Sequence, residues 1–293
     1  MLSKPIFTKD YYNGTVVPFF LRPEVPFIAV AFYLVTVVFL APTPSPASLK
    51  KDDEGKTEKK TEREKKPLVL DFLFFFTAAH NIILTVYSGW TFYNTLPIVR
   101  NYLVKHNPEG NAVGYFEVAC DRDAKLWGSG TGFDDSVGWW ITHFYLSKYY
   151  EFIDTWIIMA KGKKPELLQT YHHAGVVILM WAFVYTKNTS CGMILTVLNS
   201  FIHTIMYCYY FFAVIGYTSP YAKYLTQAQL TQFFTGIALT CYPYIEPTCY
   251  KTVGQMYSLY GIHLYTIILI YLFLKFFFKK YSKDKKKDVK KVE

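Results

Sequence analysis

ELLQTYHHAGVVILMWAFVY, residues 166–185, decides how the chain is read. From Ala174 onward the stretch carries no charge, and its length matches the roughly 20 apolar residues that a helix needs to cross a bilayer. Near its start stand Gln169, His172 and His173, with the glutamine three and four residues before the two histidines and so on the same side of a helix. An ionisable side chain inside lipid is costly, and its presence there points to a site. The stretch reads as a membrane helix that carries chemistry.

Its neighbours repeat the pattern. Upstream, an apolar region holds Lys148-Tyr149-Tyr150-Glu151-Phe152-Ile153-Asp154-Thr155, and downstream another holds Asn199, His203, Met206 and Tyr207. The whole chain of 293 residues is 52% hydrophobic and 19% aromatic, with 26 Tyr and 25 Phe, and its charges crowd into short blocks. Length alone would allow one or two water-soluble domains. The alternation of long apolar runs with polar connections instead predicts a single all-α polytopic membrane domain over residues 1–293.

Seven transmembrane helices are predicted: Val25 to Ala41, Pro67 to Leu96, Ser136 to Ala160, Glu166 to Tyr185, Cys191 to Ile215, Ala222 to Tyr244 and Gln255 to Phe278. The first run lacks a small-residue cleavage pattern, so it is read as an uncleaved anchor. Eight Lys or Arg lie between Lys50 and Lys66 and eight more from Lys279 onward. The excess of positive charge on those sides puts the C-terminus in the cytosol and the N-terminus in the lumen. Residues 42–66 mix Lys with Glu and Asp and read as a disordered cytosolic loop. The lysine-rich tail, 279–293, is a topology determinant, and its Lys290 and Lys291 resemble a dilysine retrieval signal of the endoplasmic reticulum.

Five cysteines are too few for a disulfide scaffold. Cys191, Cys208 and Cys241 fall in predicted spans and read as packing residues. Cys120 and Cys249 fall in lumenal connections, where oxidation is permitted, and a bridge between them would tie the second connection to the sixth. Asn13 and Asn188 open sequons on the same side; the second hugs the membrane and is expected to stay unmodified.

At about 100° per residue Lys148, Glu151 and Thr155 share a helix face, with Asp154 at its margin. Asn199, His203, Met206, Tyr207 and Tyr210 recur at i, i+4, i+7, i+8 and i+11 and make a stripe, and the sixth helix opens with Thr226-Gln227-Ala228-Gln229-Leu230-Thr231-Gln232. Four antiparallel helices thus present polar faces at one depth in the cytosolic half. Lys148 with Glu151 or Asp154 reads equally as a buried ion pair and as a chemical group. The glutamines could simply bond between helices. His80, His106, His143 and His263 read as packing histidines, whereas His172, His173 and His203 meet at one depth. Such a set can bind metal or act without one. Membrane di-iron desaturases and hydroxylases use several His-rich boxes, and 7 histidines with one partial box fall short of that. Zinc on His172, His173 and His203 remains geometrically open. Metal-free nucleophilic or acid-base work is the other reading.

These residues resemble the ELO-type fatty acid elongases, the condensing enzymes of microsomal very-long-chain fatty acid elongation. Lys148, Glu151, Asp154 and Thr155 match that family's Lys-x-x-Glu-x-x-Asp-Thr motif. His172 and His173 match its histidine box, His203, Met206 and Tyr207 its His-x-x-Met-Tyr motif, and Thr226, Gln227, Gln229 and Gln232 its Thr-Gln-x-Gln-x-x-Gln motif. The four occur in family order and cover nearly the whole chain. The family box usually opens with His, and Gln169 stands there instead, as in algal and protist elongases of polyunsaturated chains, which the run from Tyr145 to His173 also resembles. Cys120 and Cys249 fall where some members have a lumenal disulfide.

The resemblance implies a decarboxylative Claisen condensation of malonyl-CoA with a long-chain acyl-CoA, without metal or cofactor. It implies a catalytic set of His172, His173, His203, Lys148, Glu151 and Asp154. His172 would take the acyl group and His203 would handle the malonyl unit, with His173 able to exchange roles with either, and Gln169, Asn199, Tyr207, Gln229 and Gln232 would contact substrate. It further implies a tunnel enclosed by the second to seventh helices, residence in the endoplasmic reticulum, and work beside the ketoacyl reductase, dehydratase and enoyl reductase of the cycle. No nucleic-acid partner is expected. A seven-span receptor would not require the ionisable cluster, and a transporter would show repeats or helices broken at mid-membrane, which the sequence does not clearly display.

Overall fold

A computed structural model of the protein describes residues 12–42, 68–128, 136–217 and 221–289. All of its regular elements are helical among these residues. A π-helical turn (Tyr12–Val16) runs into α1 (Val17–Leu21), followed by α2 (Glu24–Leu40), α3 (Leu68–His106), α4 (Ala112–Ala119), α5 (Val137–Tyr150), α6 (Phe152–Ala160), α7 (Leu167–Thr186), α8 (Thr189–Val214), α9 (Ala222–Thr240), α10 (Tyr242–Ile245), a 3₁₀ turn (Pro247–Cys249) and α11 (Val253–Val289). Every stretch predicted to cross the membrane is helical. The charged loop expected at 42–66 lies, past residue 42, outside the described residues, as do Lys290, Lys291 and the side chain of Asn13.

Four helices are long and apolar enough to cross a membrane, within Phe72–His106, Leu167–Thr186, Thr189–Val214 and Val253–Tyr281; α1 and α2 pass together but meet at a bend of 66°. The chain is therefore a polytopic membrane protein. The remaining predicted spans, 136–160 and 222–244, do not pass this test, for a visible reason. The first is divided at Glu151 into α5 and α6, and α9 opens with the polar run of threonines and glutamines.

Local sequence sets the ends. The Ser136 hydroxyl accepts from Trp139 N at 3.2 Å, Asn111 Oδ1 accepts from Gly114 N at 2.7 Å and Asn188 Oδ1 accepts from Cys191 N at 3.2 Å, so α5, α4 and α8 each start on a side-chain cap. Asn188 is also fully buried, with its amide donating to Ser258 Oγ at 2.8 Å, so its sequon is spent on structure. α3 runs past the expected end at Leu96: it carries Pro97 inside it and continues to His106, with Lys105 a cation placed favourably in its last turn.

The helices pack in a closed circuit. α3 lies along α8, α8 meets α9, α9 meets α11, α11 meets α7, α7 meets α5, and α5 returns to α3; α2 sits outside against α6 and α7. Tyr33, Val137, Ile141, Tyr145, Val177 and Phe183 are fully buried in the shared core. Polar locks hold the outer helices on: Trp156 Nε1 donates to Thr36 Oγ1 at 3.0 Å and Trp181 Nε1 to the Leu21 carbonyl at 3.0 Å. At one end Cys120 and Cys249 are joined by a disulfide, Cα atoms 5.1 Å apart. Beside it Arg122 Nε donates to the Thr248 carbonyl at 3.1 Å and Lys251 bonds Asp123 at 3.1 Å, which holds that exposed carboxyl below the usual range.

Candidate active site

The circuit surrounds a half-open cavity of about 890 Å³. Its walls come from α3 (Thr77, His80, Asn81), α6 (Asp154), α7 (Gln169, His172, His173), α8 (Asn199, His203, Met206, Tyr207, Tyr210) and α9 (Gln229, Gln232), and Lys161, Lys163, Lys164 and Lys280 stand at its rim. The α8 stripe read from spacing therefore faces one space. So do most of the candidate site residues.

Three rings sit together. The centroids of His172 and His173 are 5.4 Å apart and those of His172 and His203 6.4 Å apart. His173 and His203 are buried, whereas His172 is half-buried on the cavity wall. His172 Nδ1 lies 2.9 Å from the Tyr265 hydroxyl. Among the described residues neither His173 Nδ1 nor His203 Nδ1 has a hydrogen-bond partner, so both rings carry unspent capacity in a buried place.

The carboxylates divide the work. Asp154 Oδ1 meets His80 Nε2 at 2.8 Å, Asp154 Oδ2 accepts from the Tyr207 hydroxyl at 2.7 Å and lies 3.9 Å from His173 Nε2. Lys148 and Glu151 stand behind the wall, each 1% exposed, bonded at 2.6 Å. Lys148 Nζ also donates to Asn199 Oδ1 at 3.2 Å and lies 3.8 Å above the Phe144 ring, while Glu151 Oε1 is 3.8 Å from His203 Nδ1. This pair touches the cavity through Asn199 and His203.

The structure departs from the sequence reading at two residues. Thr155 does not join Lys148 and Glu151 on one face; its hydroxyl meets the Tyr33 hydroxyl at 2.9 Å and accepts from Gln169 Nε2 at 3.2 Å. Gln169 thus links α7 to α6 while also lining the cavity. His80, read as a packing residue, belongs to the site through Asp154. A signal existed: Thr77, His80, Asn81, Leu84, Ser88, Thr91 and Thr95 are all buried and recur at helical spacing, a polar stripe down one face of α3. His143 and His263 fit the packing role, the former on Tyr87 at 2.9 Å and the latter between Thr240 and Tyr244 at 2.7 and 2.9 Å.

Among the described residues no three His, Cys, Asp or Glu side chains are placed to share one metal ion. What the wall offers is imidazole nitrogens, hydrogen-bond donors and a largely apolar volume.

The chain is 32% identical to fatty acid elongase sre1 of Dictyostelium discoideum over 183 residues, which is 61% of this chain and 66% of that protein. It is 27% identical to fatty acid elongase 3 of Trypanosoma brucei brucei over 293 aligned positions, 91% of this chain and 86% of that one. It is 36% identical to very long chain fatty acid elongase 5 of Xenopus laevis over 152 residues, half of this chain and 49% of that one. A family model matches residues 18–289. The chain belongs to the ELO (GNS1/SUR4) family.

Proposed function

We infer that this protein is the condensing enzyme of fatty acid elongation, a very-long-chain 3-oxoacyl-CoA synthase that joins malonyl-CoA to a long-chain acyl-CoA. The observation that carries the reading is the arrangement of His172, His173 and His203 on the wall of one cavity that Asp154, Asn199, Tyr207, Gln229 and Gln232 also line.

The chemistry balances without metal, redox partner or cofactor. His172 attacks the acyl thioester carbonyl, the C–S bond breaks, and CoA leaves as a thiolate that takes a proton from solvent. Malonyl-CoA then loses carbon dioxide, and the electron pair of that C–C bond becomes an enolate. The enolate carbon attacks the acyl group, the C–N bond to His172 breaks, and 3-oxoacyl-CoA leaves with the imidazole restored. His203 and Asn199, backed by Glu151 and Lys148, face the malonyl unit and its developing charge. Asp154 orients His173 and Tyr207. The lysines at the rim attract the CoA phosphates.

In the membrane we place seven spans, with α5 and α6 together as the third and α9 as the sixth, the N-terminus in the lumen and the lysine-rich tail in the cytosol of the endoplasmic reticulum. Lys290 and Lys291 serve there as a retrieval signal, and the ketoacyl reductase, dehydratase and enoyl reductase act next on the product. Gln169 favours polyunsaturated acyl chains. The test is product formation by purified protein in detergent with labelled malonyl-CoA and saturated, monounsaturated and polyunsaturated acyl-CoAs. Release of 3-oxoacyl-CoA two carbons longer, abolished in His172→Ala, is the expected result; no product from any donor with folded protein overturns the reading.

A further inference from the structure

Tyr265 is a tyrosine among 26, and nothing in the sequence distinguishes it. In the fold it reaches from α11 to α7. Its hydroxyl donates to the His172 backbone carbonyl at 3.1 Å and lies 2.9 Å from His172 Nδ1. A phenol has one proton to give, and a carbonyl oxygen can only accept. Both contacts are satisfied together in one way: the phenol proton goes to the carbonyl, and Nδ1 carries its own proton and donates it to the phenol oxygen. Nε2 is then the nitrogen with the lone pair.

The placement is built rather than incidental. The Tyr265 ring stacks on Tyr171 with centroids 5.1 Å apart and is buried. On the other side Gly175, one turn beyond Tyr171 and His172, clears the way: a Cβ at that position would lie 2.3 Å from Tyr265 Cε2. Tyr171 and Gly175 thus make a slot in α7 that only an unbranched approach can use, and the slot aims the phenol at His172.

We propose that Tyr265 is a positioning residue that holds His172 in the tautomer with Nδ1 protonated, so that Nε2 presents its lone pair to the acyl thioester. The arrangement parallels the role of a hydrogen-bonded orienter behind a histidine in other nucleophilic sites, where the partner fixes tautomer and ring direction. It rests on the reading of His172 as the acyl acceptor. After attack, Nδ1 keeps its proton, and the acyl group sits on an imidazolium, which leaves more readily when the enolate arrives.

The test is single-turnover release of CoA from acyl-CoA in the absence of malonyl-CoA, with steady-state kcat and KM beside it. Tyr265→Phe preserves the ring, the stack on Tyr171 and the slot at Gly175, and removes only the hydroxyl. Expected is a fall of about tenfold or more in the rate of CoA release and in kcat, with KM for acyl-CoA within about twofold of wild type, the split of a group that acts on the reacting atom rather than on binding. Gly175→Ala, which keeps the hydroxyl and displaces the ring, should give the same split and serves if Tyr265→Phe does not fold. A wild-type rate in Tyr265→Phe overturns the inference. His172→Ala separates the two levels: if it too releases CoA at the wild-type rate, the acyl-acceptor assignment falls, whereas an inactive His172→Ala beside an undiminished Tyr265→Phe removes Tyr265 alone.

Discussion

Asp154 is where the α3, α6 and α8 side chains converge, since its two oxygens take His80 at 2.8 Å and Tyr207 at 2.7 Å. Side chains that act as a unit lose their function once, whichever is removed. Asp154→Asn and His80→Ala should therefore each lower kcat by about tenfold or more, with the double variant no worse than the more damaged single. Strictly multiplicative losses in a double-mutant cycle would show that the two act apart. Lys148 and Glu151 pose a different question, because the sequence left them open between structure and chemistry. Removing one partner of a buried pair strands a charge and costs about 3–5 kcal/mol, whereas replacing both by apolar side chains is close to neutral. Lys148→Met and Glu151→Met should each fail to accumulate as folded protein, and the double variant should fold. Since the pair lies behind Asn199 and His203, the folded double variant should keep a measurable but reduced kcat. Full loss of turnover with a wild-type thermal midpoint would place Lys148 or Glu151 in the chemistry itself.

At the scale of the helix, apolar length and period place a helix under each expected span, and the differences lie at the ends. α3 carries Pro97 and runs past the expected end at Leu96, and Tyr242-Pro243, inside the expected sixth span, belong to the separate α10. The short α4 escaped because eight residues carry too little periodicity, though Asn111 capping Gly114 was its one readable mark. The motif residues were legible because lipid makes any ionisable group conspicuous. His80 and Tyr265 were not, since their roles depend on which helix faces which, and that is decided by packing. Close approach is such a packing property. A Cβ on Gly138 of α5 would lie 2.6 Å from the Trp127 carbonyl, an atom of the backbone that cannot swing away, whereas a Cβ on Gly89 of α3 would meet Thr204 Cγ2 at 3.5 Å, an ordinary contact. Gly138→Ala should thus destabilise by about 1–3 kcal/mol. Gly89→Ala should leave stability unchanged or raise it by up to about 1 kcal/mol through better helix propensity. Thermal midpoints in one detergent test the pair, and equal effects of the two would refute the packing argument.

For the molecule as a whole, the clamp and the chemistry lie at different levels of one bundle. Thr189, at the start of α8, donates to Asp121 Oδ2 at 2.9 Å, next to the Cys120–Cys249 bridge, and fourteen residues further along α8 stands His203. At 1.5 Å per residue the two are about 20 Å apart. The disulfide spans 129 positions of sequence and joins the turn after α4 to the turn before α11, so it closes the circuit of helices at the end remote from the cavity wall that carries His203. A covalent tie across so long a loop contributes about 2–4 kcal/mol in a water-soluble protein, mainly by limiting the unfolded chain. Helices already confined to a bilayer have less freedom to lose, so the lower part of that range applies. Cys120→Ser and Cys249→Ser should each lower the thermal midpoint by about 5 °C or more, and the double variant by no more than either single, because one bond is lost in all three. Below those midpoints kcat and KM should match wild type, because Arg122, Lys251 and Asp121 still hold the same turns together without it. A loss of kcat at a temperature where the variant is fully folded would mean that the clamp transmits its geometry down α8 to His203, and the separation of the two levels would fail.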